Sequence, residues 1–89
     1  MNEIKDLLSR AMKSNKKIIK GQEFSVQANL KGKDDYINLY ANGAVVAVYD
    51  VDDQDLNIIN YDYKKEVKFF GECLEDEGME VYIDEGLMN

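Results

Sequence analysis

The chain has 89 residues, 45% of them hydrophobic and 33% charged, with a net charge of −7, no histidine, no proline and one cysteine. A chain of this length closes around one modest core, so a single domain over 1–89 with a few kcal/mol of net stability is expected. No apolar run approaches the roughly 18 residues of a membrane span, Cys73 alone cannot form an internal disulfide, and the absence of histidine removes the side chain best suited to acid–base work near neutral pH.

Taken in chain order, EIKDLLSRAM places Ile4, Leu7, Leu8, Ala11 and Met12 on one helical stripe, which predicts a surface helix over 3–14 with Asn15 at its left-handed exit. EFSVQANL alternates, with Phe24, Val26, Ala28 and Leu30 on the buried side of a strand. KGKDD makes the next turn. In YINLYANGAVVAVYD, Asn42-Gly43 is a type I′ hairpin signal, because both central residues of that turn need positive φ. A two-residue loop sets the register: Leu39 opposite Val46 and Ile37 opposite Val48 face the core, while Tyr36 opposite Tyr49 and Tyr40 opposite Val45 stand on the other face. LNIIN, 56–60, fits a short helix, an extra strand or an extended tie-down. DYKKEVKFFGECLEDEG reads as a second helix, with Tyr63, Val67, Phe70 and Leu74 inward, Phe69 and Cys73 at the edge, Asp62 as cap and Gly78 as stop. MEVYID alternates as a final strand. The expected fold is α+β, of order α-β-β-β-α-β, a mainly antiparallel sheet with helices packed on one face.

Charge is segregated along the chain. Residues 1–33 carry eight basic side chains against three acids, and residues 34–89 carry fifteen acids against three lysines. The basic cluster KSNKKIIK lies at the end of the first helix, where cations suit the helix dipole. The acidic remainder repels a polyanion, so direct nucleic-acid binding is not expected. In the second helix the order is reversed: Lys64 and Lys65 sit at the start, and Glu75, Asp76 and Glu77 at the end. Each charge beside the wrong dipole end costs on the order of 0.3–1 kcal/mol, and such violations of local preference collect at functional surfaces.

YDVDDQDLN concentrates four aspartates in nine residues. An EF-hand frame from Asp50 puts Asp55 where glycine is required and Tyr61 where glutamate is required. A specific calcium site is therefore not expected, and a solvated loop is the simpler reading. Cys73 has no histidine to activate it and reads as a small buried thiol. The glycines never cluster into a phosphate loop. No enzyme and no cofactor are expected. Tyr36, Tyr40 and Tyr49 on the open face read either as cross-strand packing or as interface anchors.

The helix-first NEIKDLLSRA, the hairpin YANGAVVAVYD and the acidic ECLEDEGMEVYIDE together resemble small phage-encoded inhibitors, including some type II anti-CRISPR proteins, and the chain is similar in size and charge to bacterial immunity proteins as well. The resemblance is one of architecture and composition, and it implies a DNA mimic that occupies a nucleic-acid-binding surface. The +5 first third departs from a uniformly acidic mimic and restricts mimicry to one face.

A cytoplasmic, non-enzymatic protein of a bacterial host cell is thus expected. It would inhibit or modulate a basic protein partner, such as a nuclease, through Asp50, Asp52, Asp53, Asp55, Glu72, Glu75, Asp76 and Glu80, with Tyr36, Tyr40 and Tyr49 as anchors. Asp84 and Glu85 extend this acidic run. The alternative is a self-associating scaffold module, in which the basic third of one chain docks on the acidic remainder of another as a homodimer or larger assembly.

Overall fold

In a computed structural model, which describes residues 2–83, the chain runs α1 (Asn2–Lys13), β1 (Ile18–Lys20), β2 (Phe24–Asn29), β3 (Tyr36–Ala41), β4 (Ala44–Asp50), β5 (Asp55–Ile58), a 3-10 turn (Tyr61–Tyr63), α2 (Lys64–Asp76) and β6 (Tyr82–Ile83). The α+β class is the one the periodicities implied, with two strands more than expected. All six strands form one sheet in chain order, antiparallel except for the β5–β6 pair. Parallel neighbours need a crossover, and α2 supplies it.

The helices share one side of the sheet. Ile4, Leu7, Leu8 and Ala11 of α1 and Val67, Phe70, Cys73 and Leu74 of α2 join Phe24, Val26, Ala28, Ile37 and Leu39 in one buried cluster. Burying each large member contributes about 1.5–3 kcal/mol. The helix periods thus match the strand alternation, and the opposite sheet face is left open.

The hairpin turn is as expected, with φ of 52° at Asn42 and 84° at Gly43. The register beyond it is not. Ala41 pairs with Ala44 and Tyr40 with Val45, but Leu39 then pairs with Ala47, Ile37 with Tyr49 and Tyr36 with Asp50. Val46 is an extra residue in β4, a β-bulge that reverses the phase of everything after it. Val46, Ala47 and Tyr49 are all buried as a result, Tyr49 to 1% exposure, and Val48 turns to the open face. A regular ladder would have buried Val46 and Val48 and stranded Tyr49 outside. The bulge buries a large aromatic instead, and its hydroxyl donates to the Glu80 carbonyl, which removes the penalty of burying the phenol.

The helix ends show further departures. Lys16, not Asn15, takes the left-handed conformation at φ 74°, and the Asn15 side chain accepts the Leu30 N–H at 2.8 Å. Asp62 does not cap α2: Asn60 accepts the Asp62 N–H and caps the 3-10 turn, while Tyr63 precedes α2 with no side-chain cap. Gly78 does end α2, at φ 92°, with Gly78 N–H bonded to Glu75 O and Met79 N–H to Leu74 O, the paired bonds of a Schellman motif.

Two close approaches hold the layers together. Glu3, in the first turn of α1, accepts the backbone N–H groups of Gln22 and Glu23 in the β1–β2 turn and of Phe24 at the start of β2. A Cβ at Gly21 would run into that carboxyl group. At the other helix, a Cβ on Gly71 would lie 3.1 Å from both Ile83 Cδ1 and Leu56 Cδ2, so α2 sits on β5 and β6 at glycine distance.

Candidate functional site

Antiparallel order places the β2–β3 loop and the β4–β5 loop at the same end of the sheet. Val51 N–H bonds to Asp35 O at 3.1 Å and fixes the two loops side by side. Between them lies an open concavity of about 510 Å³ lined by Asp34, Asp35, Tyr36, Asn38, Val48, Asp50, Asp52 and Asp53. Five of its eight lining residues are aspartates, and none is a cation.

The loops are built by some of these same aspartates. Asp35 Oδ1 accepts Gly32 N–H at 2.8 Å, which closes the β2–β3 loop. Asp50 Oδ1 accepts Asp52 N–H at 3.0 Å and Asp53 N–H at 3.2 Å, an Asx turn that Gln54 completes at φ 63°. Asp35 and Asp50 therefore hold the rim, and Asp34, Asp52 and Asp53 project their carboxylates into solvent. Among the described residues, no group of three or more carboxylates converges as a metal-ligand set.

The open sheet face continues from this concavity as a polar ladder. Asn38 Nδ2 donates to the Tyr40 hydroxyl at 3.2 Å, Tyr40 donates to Gln27 Oε1 at 3.1 Å, and Gln27 Nε2 donates to Lys16 O at 2.9 Å. Tyr40 is thereby tied into the network through its hydroxyl. The enclosed Oδ1 atoms of Asn29 and Asn38 accept no hydrogen bond among the described residues.

The expected surface is thus divided. Asp50, Asp52, Asp53 and Tyr36 come together in the concavity, with Asp55 exposed on the next strand and Tyr40 beside them. Tyr49 does not join them, because the bulge turns it into the core. A residue at 1% exposure cannot anchor a partner on the folded protein. Burial, followed by the nearby charges of Glu80 and Asp50, raises the Tyr49 phenol above its ordinary pKa. Glu72, Glu75 and Asp76 are exposed on α2, so the helix layer and the sheet separate the Glu72 side from the open face. Glu80 lies on the segment entering β6, where its carboxylate accepts the Tyr82 hydroxyl at 3.2 Å. Its charge, then that hydrogen bond, raises the Tyr82 pKa. Asp84 and Glu85 lie outside the described residues.

Sequence reading missed Asp34, Asp35, Asn38 and Val48 as partners of the aspartate run. The signal was present: once KGKDD and DVDDQ are taken as the two loops flanking a hairpin, antiparallel order brings them to one end. Cys73 is sealed in the core at 2% exposure, and burial first, then the charge of Asp76, pushes its thiol up to about 11. No described helix is long and apolar enough to cross a membrane.

Fold and site together define a small α+β protein with one helix-covered sheet face and one open face ending in an acidic concavity. No protein family, curated protein or solved structure matches this chain.

Proposed function

We propose that this chain is a non-enzymatic binding protein that engages a basic protein partner, of the nucleic-acid-binding kind, through the acidic concavity at the ends of β3 and β4. The observation that carries this reading is the lining: five aspartates, one tyrosine and one asparagine around about 510 Å³, with no cation among them. Carboxylates offer only acceptors, so the occupant they suit is rich in N–H donors, such as lysine and arginine. Tyr36 adds an aromatic surface on which a guanidinium can stack. Such a partner meets carboxylates where it would otherwise meet phosphates, and the effect is inhibition by occupancy. The small phage-encoded inhibitors that the chain resembles in size and charge work in this manner.

The outer face of α2 serves as the comparison surface. Tagged wild type, a D34N/D52N/D53N variant and an E72Q/E75Q variant would each be used to capture proteins from a bacterial lysate, with washes at low and then moderate salt. The carboxamides retain shape and remove charge, and Asp35 and Asp50 are left to hold the loops. A basic protein held by wild type and by E72Q/E75Q, and lost from D34N/D52N/D53N, supports the proposal. Equal retention by all three overturns it.

A further inference from the structure

We infer that the charge-split end of the sheet is self-complementary, and that a second copy of this chain docks there about a twofold axis. Four loops meet at this end and are stitched in strand order by hydrogen bonds. Asn15 accepts from Leu30 N–H, Val51 N–H bonds to Asp35 O, and Tyr82 N–H bonds to Gln54 O. Crossing the end from β1 to β6, the exposed charges change sign once. Lys16, Lys17, Lys31 and Lys33 occupy the first half, and Asp34, Asp52, Asp53 and Glu80 the second.

The boundary falls inside one loop, between Lys33 and Asp34. Among the described residues these four lysines make no ion pair with the aspartates beside them, whereas Arg10 pairs with Asp6 at 3.2 Å on the exposed side of α1. Crowded like charges repel on each half. A twofold axis through the Lys33–Asp34 boundary sets the basic half of each copy over the acidic half of the other. One contact patch then satisfies both halves, as an isologous interface requires. A uniformly acidic end would lack this property. A second copy fits it better than an unrelated chain does, because the pattern supplies its own complement.

This inference does not depend on the foreign partner proposed above. It adds that the lysines of a second copy occupy the acidic concavity until a basic partner displaces them.

Sedimentation equilibrium at millimolar concentration and low salt tests it. The expected mass is twice the 10.2 kDa of the chain, with association weakened about tenfold or more by high salt. K17E/K33E alone and D52K/D53K alone are each expected to be monomeric. An equimolar mixture of the two regains the dimer mass, because the reversed basic half of one variant meets the reversed acidic half of the other, and the unchanged aspartates of the first meet the unchanged lysines of the second. All four substitutions lie on exposed residues, and circular dichroism of each variant identifies any that fails to fold. In that event, the single reversals K17E and D52K carry the same comparison. A monomeric wild type overturns the inference, as does a dimer indifferent to both reversals or a mixture that stays monomeric. None of these outcomes bears on capture of a foreign basic protein.

Discussion

Replacing Tyr49 separates the observed register from a regular hairpin. In the structure Tyr49 is 1% exposed, and its hydroxyl donates to Glu80 O. Tyr49→Phe deletes that bond alone. The expected cost is about 0.5–1.5 kcal/mol, the net contribution of a typical intramolecular hydrogen bond. Tyr49→Ala removes a buried aromatic side chain and leaves a cavity, for which about 3–5 kcal/mol is expected. That is a large share of the total for a domain whose stability amounts to roughly 0.05–0.15 kcal/mol per residue. Tyr36→Ala, on the half-exposed open face, is expected to cost no more than about 1 kcal/mol. Urea unfolding followed by circular dichroism reads all three, with midpoints compared at constant m. Alkaline titration adds an independent readout. Because the folded pKa of Tyr49 is raised above its ordinary value of 10.0, its contribution to stability is complete below that pH and is lost as pH climbs through the folded value. If Tyr36→Ala proved as damaging as Tyr49→Ala, the bulge at Val46 and the whole account of the open face would be wrong.

Three further outcomes follow from close packing and burial. Gly71→Ala gains about 1 kcal/mol of helix propensity but forces a methyl to 3.1 Å from Ile83 and Leu56, an overpacking cost of about 1–3 kcal/mol. Thermal melting should therefore show a net loss of about 1 kcal/mol, or ~4–8 °C, and a gain would mean that α2 stands further from the sheet. Cys73, with its thiol pushed up to about 11, should react with a disulfide reagent only after urea unfolding; rapid native-state labelling would contradict its burial. Glu3 accepts N–H from Gln22, then Glu23 and Phe24, which holds its carboxyl below its ordinary pKa of 4.5. A depressed folded value gives stability above the unfolded pKa that is lost as pH falls through the folded one. Wild type should thus exceed Glu3→Gln in stability near neutrality, with the gap closing in acid, and a gap independent of pH would exclude the charged contact.

Much of this fold can be read where one period dominates. EIKDLLSRAM and EFSVQANL each have polar residues that mark the phase, and Asn42-Gly43 admits few alternatives to a tight turn. The bulge is a different matter. AVVAV is apolar at both parities, so no polar residue in that run shows where the alternation slips, and Tyr49 lands on the wrong face. The choice is made by tertiary contacts, namely burial in the common core and the Glu80 carbonyl that accepts the Tyr49 hydroxyl. β1 is not legible in the sequence because three residues, IIK, are too few to show alternation, and its pairing with β2 is set by tertiary structure. β5 shares this ambiguity, since LNIIN suits a helix or a strand until β4 offers an edge. The acidity of residues 50–55 was legible, but the partnership of Asp34 and Asp35 with them depends on strand order. The reversed charges of α2 are legible in the sequence. Their position on the far side of the sheet from the concavity is a property of layering alone.

The proposed function requires that cations enter the concavity bounded by Asp34, Tyr36, Asp50 and Asp52 in preference to the other acidic surfaces. Its most direct test is titration of nitrogen-15-labelled protein with a short arginine-rich peptide, followed by two-dimensional amide spectra. Shift changes are expected to concentrate in residues 34–38 and 48–53 and to fade as salt is added. Changes centred on Glu72 and Glu75, or spread evenly over every exposed acid, would contradict it.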